Sequence, residues 1–221
     1  MVFITLKLRL LFQMKERSMK VCGFVGSPRK QGNADILVDT FLEGAAAAQV
    51  ETEKFFLADL NINQCRGCYN NCMLQPGYRC AVFRDDMDML MGEIAGADLL
   101  IFASPLYCAC YTAIMAGFFE RLLPFWHVEM AGEPGTMEAF RFISNPAKGK
   151  KAVIGLVQDL QNPAVGRIAL EAFEHNIAKT YMMDIVATLH VTDVRARGDI
   201  RKKPERLQDI FETGRRLASA V

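Results

Sequence analysis

Three short segments of the 221-residue chain carry residue types suited to chemistry. The first holds Cys65, Cys68, Cys72 and Cys80 in the spacing Cys-x2-Cys-x3-Cys-x7-Cys. Four thiolates converging from so short a stretch can ligate a metal centre, and soft sulfur ligands suit either a tetrahedral zinc or an iron-sulfur cluster. Cysteines that hold no metal and respond to oxidants are the alternative.

The second segment, Gly26-Ser27-Pro28-Arg29-Lys30-Gln31-Gly32-Asn33, follows an apolar run and precedes a helical pattern. Small and hydroxyl residues such as Ser27 and Gly32 let backbone N–H groups close around an anion at the positive end of a helix. Ser27 and Asn33 have side chains able to donate to phosphate oxygens, and Arg29 adds a charge-assisted contact. The spacing of dinucleotide-binding loops is absent, as is the Gly-Lys-Ser/Thr ending of triphosphate loops. A single terminal phosphate, as in FMN, is the better match. As an ordinary strand-to-helix turn, the same residues place Asn33 as a helix N-cap.

The third segment is Ser104-Pro105-Leu106-Tyr107-Cys108-Ala109-Cys110-Tyr111. In a doubly wound sheet it faces the phosphate loop at the carboxyl edge of the strands, where ligands bind. Tyr107 offers a rigid aromatic face to a ring system, although Tyr107 and Tyr111 also suit plain packing at a sheet edge. Cys108 and Cys110 read as ordinary side chains, because a reactive thiol needs a lowered pKa. Cys22 reads as a small core residue.

These segments need a frame, and the remaining pattern provides one. Strand candidates are Lys20 to Gly26, Thr52 to Leu57, Asp98 to Ala103, Lys151 to Val157 and Asp184 to Val194. Helix candidates lie near Asn33 to Ala48, Asp85 to Ala95, Thr112 to Leu123, Ala164 to Thr180 and Pro204 to Ala218. The alternation predicts a doubly wound α/β fold: a five-stranded parallel sheet with helices on both faces and a Cys-rich loop after the second strand. Two stretches exceed what connectors require, Asn61 to Arg84 and Pro124 to Gly149, and both are candidate functional insertions. Trp126 and His127 open the second, where they either cover a bound ring or belong to an interface between subunits. His175 and His190 read as structural.

Lys plus Arg number 26 against 25 Asp plus Glu, so no strong positive field draws the chain to nucleic acid or an anionic membrane. The basic run Arg195, Arg197, Arg201, Lys202 and Lys203 reads as solvated surface or as a contact for a pyrophosphate. Seven cysteines argue against a fully paired disulfide framework and fit a reducing cytoplasm. Residues 1–19 are too short and too charged to span a bilayer and read as an extension to a single domain over 20–221.

Four matches in order give the chain a family resemblance: GSPRKQGN, the segment CRGCYNNC to CAVFRDDM, SPLY and FFER. With the ending GDIRKKPERLQDIFETGRRLA, the chain from about residue 20 onward resembles the NAD(P)H-dependent FMN reductase and iron-sulfur flavoprotein family. The resemblance implies FMN held by Ser27, Arg29, Gly32 and Asn33 at its phosphate and by Pro105, Leu106, Tyr107 and Cys108 at its ring. It places the loop Gln158-Asp159-Leu160 at the polar edges of that ring. It also implies an iron-sulfur cluster at the four cysteines and a homodimer or homotetramer.

Three positions depart from the family pattern: three residues instead of two separate Cys68 from Cys72, Ala34 stands where Thr is frequent, and Ala116 where Lys is frequent. The last bears on NAD(P)H use. The expected activity is electron transfer from NAD(P)H or a ferredoxin-like donor to a small-molecule or protein acceptor. A non-enzymatic flavin electron carrier and a thiol or zinc redox sensor are the alternatives.

Overall fold

The computed structural model describes residues 19–68, 70–133, 136 and 139–220. The expected extension lies, but for Met19, outside the described residues.

Five strands form one parallel sheet: β1 (Lys20–Val25), β2 (Glu51–Phe56), β3 (Leu99–Pro105), β6 (Lys151–Val157) and β7 (Asp184–Val191). Their order is β2-β1-β3-β6-β7, the flavodoxin-like arrangement with its switch point between β1 and β3. The three middle strands are almost wholly buried, as their apolar runs require when helices cover both faces. Side chains alternate between the two faces along each strand. Val21, Val25, Leu99, Ile101 and Val153 join one core layer with α1 (Asn33–Ala46) and α6 (Pro204–Ser219). Cys22, Phe24, Phe102 and Ile154 join the other, with α3 (Met87–Gly96), α4 (Ala113–Glu120) and α5 (Arg167–Glu174). In that second layer Phe24 stacks against both Phe102 and Phe118 with centroids 5.2 Å apart.

On the first face, α1 and α6 meet backbone to backbone. A Cβ on Gly44 would lie 2.0 Å from the Phe211 carbonyl oxygen, and one on Gly214 would lie 2.1 Å from that of Phe41. Only glycine permits this approach. The contact braces α1, whose N-terminal end opens the phosphate loop.

The structure differs from the expected elements in two places. The stretch 124–149 contains an antiparallel hairpin, β4 (His127–Met130) paired with β5 (Phe140–Ser144), which the alternating pattern did not reveal. The expected helix over 164–180 is a composite: a 3-10 turn at Pro163–Gly166, then α5, then a π-helical turn at His175–Thr180. Within the Cys-rich stretch, α2 (Asn70–Met73) forms a single short turn. Among the described residues, no helix is long and apolar enough to cross a membrane.

Candidate functional site

A cleft of about 470 Å³ opens at the carboxyl edge of the sheet. Ser27, Arg29, Gly32, Asn33, Pro105, Leu106, Tyr107 and Cys108 all line it, joined by Gln158, Asp159, Arg195 and Arg197. Loops from β1, β3, β6 and β7 thus converge at the switch point.

At the phosphate end, Gly32 is the extended residue before α1, and the helix begins at Asn33 without a side-chain cap. The first-turn N–H groups therefore remain available to an anion. The Ser27 hydroxyl accepts from the Arg29 amide at 3.1 Å, which leaves its own proton free to donate into the cleft. Asn33 departs from the role expected of it. Its amide donates to the carbonyls of Val194 at 3.1 Å and Ala196 at 3.0 Å, and its oxygen accepts from the Ile200 amide at 3.1 Å. Its side chain therefore ties down the segment that carries Arg195 and Arg197, and only its backbone is left for a ligand. Among the described residues, Arg29, Arg195 and Arg197 form no ion pair. The rest of the basic run is engaged elsewhere: Arg201 donates to Gln31 at 2.7 Å, and Lys202 and Lys203 pair with Asp199 and Asp193.

At the ring end, Tyr107 and Cys110 exchange two backbone hydrogen bonds of 2.8 and 2.9 Å around a two-residue turn. Its central residues, Cys108 and Ala109, both have positive φ, 48° and 61°. Such turns favour Asn and Gly, so this tip is held in a costly conformation at the mouth of the cleft. Thr112 anchors the far side of the loop. It caps α4, and its hydroxyl donates to the Gly26 carbonyl at 2.5 Å, which joins the ring loop to the phosphate loop. Sequence reasoning did not single out Thr112, although a Thr opening a helix is a capping signal.

Gln158 is buried and holds its own loop, donating to the carbonyls of Leu160 and Asn162, both at 2.8 Å. Its oxygen meets Nε2 of His190 at 2.9 Å. Burial, with Arg206 adding to it, pushes the His190 pKa down, so a neutral ring braces this loop. Trp126 is not among the residues lining the cleft, and its indole donates to the Thr180 carbonyl at 2.6 Å.

The four cysteines line a second, smaller cavity together with Arg66, Phe83 and Arg121. Backbone amides point at their sulfurs, among them Gly67 at Cys65 (3.5 Å), and Val82 and Phe83 at Cys80 (both 3.4 Å). Such N–H to sulfur bonds stabilise bound thiolates. The guanidinium groups of Arg66 and Arg121 lie 5.7 and 5.1 Å from the Phe83 ring centroid. Burial, followed by the neighbouring Cys68 and Cys80, pushes the Cys72 thiol up to about 11, so a metal must displace its proton.

A tetrahedral zinc with Zn–S bonds of about 2.3 Å holds its sulfurs about 3.8 Å apart. Among the described residues, the only His, Cys, Asp or Glu trio with ligand atoms within 4.8 Å of one another is Cys22, Glu53 and Glu93. That trio is already served by Lys20, whose ammonium lies 2.7 Å from Glu53 and 2.5 Å from Glu93. Among the described residues, no three of the four cysteines bring their sulfurs within 4.8 Å of one another.

The cysteine loop is closed at its neck. Asp86 accepts from the Asn61 amide at 2.7 Å, and the Asn61 carbonyl accepts from the Asp86 amide at 3.1 Å. Just inside, Arg121 grips Asp85 through two bonds of 2.7 and 2.9 Å and donates to the Asn63 carbonyl at 2.6 Å. Both charged side chains are nearly inaccessible, at 2% and 1% exposure. Burial works to raise the Asp85 carboxyl, but the bonds from Arg121 and Asn63 outweigh it and hold its pKa at about 2. The sequence marked Arg121 only through FFER, and Asp85 only through FRDDM and as the start of a helix candidate, not as partners.

With this geometry in view, comparison with known proteins is informative. The family model described as NADPH-dependent FMN reductase matches residues 19–177. The chain belongs to that family. It is 40% identical over 109 residues to an iron-sulfur flavoprotein of Archaeoglobus fulgidus, covering 49% of this chain and 48% of that protein. It is 33% identical over 103 residues to one of Methanosarcina thermophila, covering 47% and 52%. The aligned region thus spans about half the length of the curated relatives it matches. Among solved structures, a flavone reductase superposes with TM-score 0.64 at 18% identity, covering 91% of this chain and 62% of that one. An NAD(P)H:quinone oxidoreductase from Methanothermobacter marburgensis superposes with TM-score 0.63 at 15% identity, covering 92% and 99%. At such identities these likenesses establish the fold alone.

Proposed function

We propose that this member of the FMN reductase family binds FMN in the 470 Å³ cleft and passes electrons from NAD(P)H or a ferredoxin-like donor to an acceptor, with Cys65, Cys68, Cys72 and Cys80 holding a four-iron cluster. The observation that carries the reading is the convergence, in one cleft at the switch point, of a helix N-terminus, arginines without ion-pair partners among the described residues and the Tyr107 loop. The bound flavin supplies the redox chemistry. The protein's part is to hold and orient it. First-turn amides, Ser27 and Arg29 take the phosphate, and the strained Tyr107 turn, locked to β1 through Thr112, presents backbone and an aromatic face to the ring. No general acid or base from the chain is required. Ala116 in place of Lys leaves the choice between NAD(P)H and a protein donor to experiment.

The test is an absorption spectrum of anaerobically purified protein, with FMN, iron, sulfide and zinc quantified on one sample. Flavin bands with broad cluster absorption and about four irons per chain support the full reading. Flavin without iron removes the cluster, and failure to bind added FMN overturns the whole. Exposed Met130, Phe142 and Ile143 on the hairpin strands support self-association into a homodimer or homotetramer, which light scattering reads directly.

A further inference from the structure

On the far side of the phosphate loop from the ring end lies an open groove lined by Pro28, Arg29, Lys30, Phe56, Ala58, Asp59 and Arg197. It is continuous with the cleft through two shared residues, Arg29 and Arg197. Both are cations without an ion-pair partner among the described residues, and they stand where one compartment passes into the other. On the flavin reading of the cleft, Arg29 serves the monophosphate, and Arg197, which also lines both compartments, is left for a further phosphoryl group.

The contents of the groove define what could continue beyond the phosphate. Guanidinium forks match a pyrophosphate, whose two phosphoryl groups would span the junction. Half-buried Phe56 offers a ring for stacking a planar base. Asp59, at the end of the turn after β2, can accept from a ribose hydroxyl, the position an acidic residue takes in dinucleotide folds. Lys30 pairs with that carboxylate at 2.5 Å and lies 5.7 Å from the Phe56 ring centroid, so the charge of Asp59 is balanced against an incoming phosphate.

We infer that this groove is an adenylate subsite and that the protein accepts FAD as well as FMN, with the AMP half of FAD lying between the loops that follow β1 and β2. The inference rests on the flavin reading of the cleft. No bond is made or broken; this is a binding site.

The experiment titrates flavin-free, full-length chain with FMN and with FAD by fluorescence quenching, in the native protein and in Ala58→Trp and Phe56→Ser. Ala58 is exposed in the groove and does not line the cleft, so a Trp there blocks the groove alone. FAD should bind within about tenfold of FMN, and each variant should weaken FAD about tenfold while leaving FMN unchanged. FAD binding a hundredfold or more weaker than FMN, or variants that shift both flavins alike, overturns the subsite. Binding of neither flavin overturns the cleft reading and the groove with it. If instead Ala58→Trp spares FAD and weakens NADP⁺ or 2′,5′-ADP on FMN-loaded protein, the groove serves a pyridine dinucleotide and the assignment to FAD fails.

Discussion

The cleft and the cysteine loop are built on opposite principles. The cleft is assembled from the ends of four strands, three of them almost wholly buried, and its loops are pinned by neutral hydrogen bonds from Thr112, Asn33 and Gln158. The cysteine loop hangs outside the sheet, with few buried apolar side chains of its own, and is gripped by the Asp85–Arg121 ion pair. A site framed by strands inherits the rigidity of the fold. A site on an insertion depends on particular anchors, and a buried charge pair is an anchor that fails abruptly, since removing one partner strands the other.

That contrast can be broken by experiment. Asp85→Ala should have the largest effect, costing about 3–5 kcal/mol by leaving Arg121 buried and unpaired. Iron or zinc content should collapse and amide exchange over 61–86 should rise sharply, while FMN affinity stays within about threefold. Equal loss of both cofactors would show that the two regions are not separate. In the opposite direction, Arg29→Ala should weaken FMN about tenfold to a hundredfold, since hydrogen bonds to charged groups are worth about 1.5–3 kcal/mol, with metal content unaffected.

Asn33→Ala sharpens the point. Its side chain holds the 194–200 segment and is spent on that task, so truncation should cost about 1–3 kcal/mol and weaken FMN by releasing Arg195 and Arg197. Increased proteolysis near residue 196 distinguishes this from loss of a direct phosphate contact.

Acid should separate the regions more gently. Asp85 titrates near 2 when folded and in the ordinary carboxylate range, about 4, when unfolded. Its contribution is therefore complete above about pH 4 and fades as pH falls toward 2. Pepsin should cut within 61–86 increasingly over that window, and cleavage independent of pH would contradict the anchor.

Much of the frame was legible because its signals are local. The unbroken apolar runs of β1, β3 and β6 and the small-residue loop after β1 can be read within a dozen residues, and they brought all eight expected flavin contacts to one cleft. What escaped notice depends on distant partners. Asp85 and Arg121 are 36 residues apart, and Asn33 reaches 161 residues to Val194, so no spacing announces either bond. The hairpin within 124–149 was hidden for a related reason, since its strands are four and five residues long with an irregular register between His127 and Val128. The π-helical turn at His175–Thr180 keeps an apolar side chain inward at Ile177, which leaves its pattern close to that of the α-helix expected there.

The closed neck of the cysteine loop has a consequence for how such a chain can change. Because Asn61 and Asp86 are already hydrogen-bonded to each other, the ends of the excursion are as close as those of a tight turn. The segment between them is thus a replaceable module: a short turn across the same two residues should leave the sheet intact, and grafting the segment onto a loop-free scaffold would require a matching neck, a resident arginine and a seat for Tyr78, which here meets Ser144 at 2.9 Å and packs against Phe125.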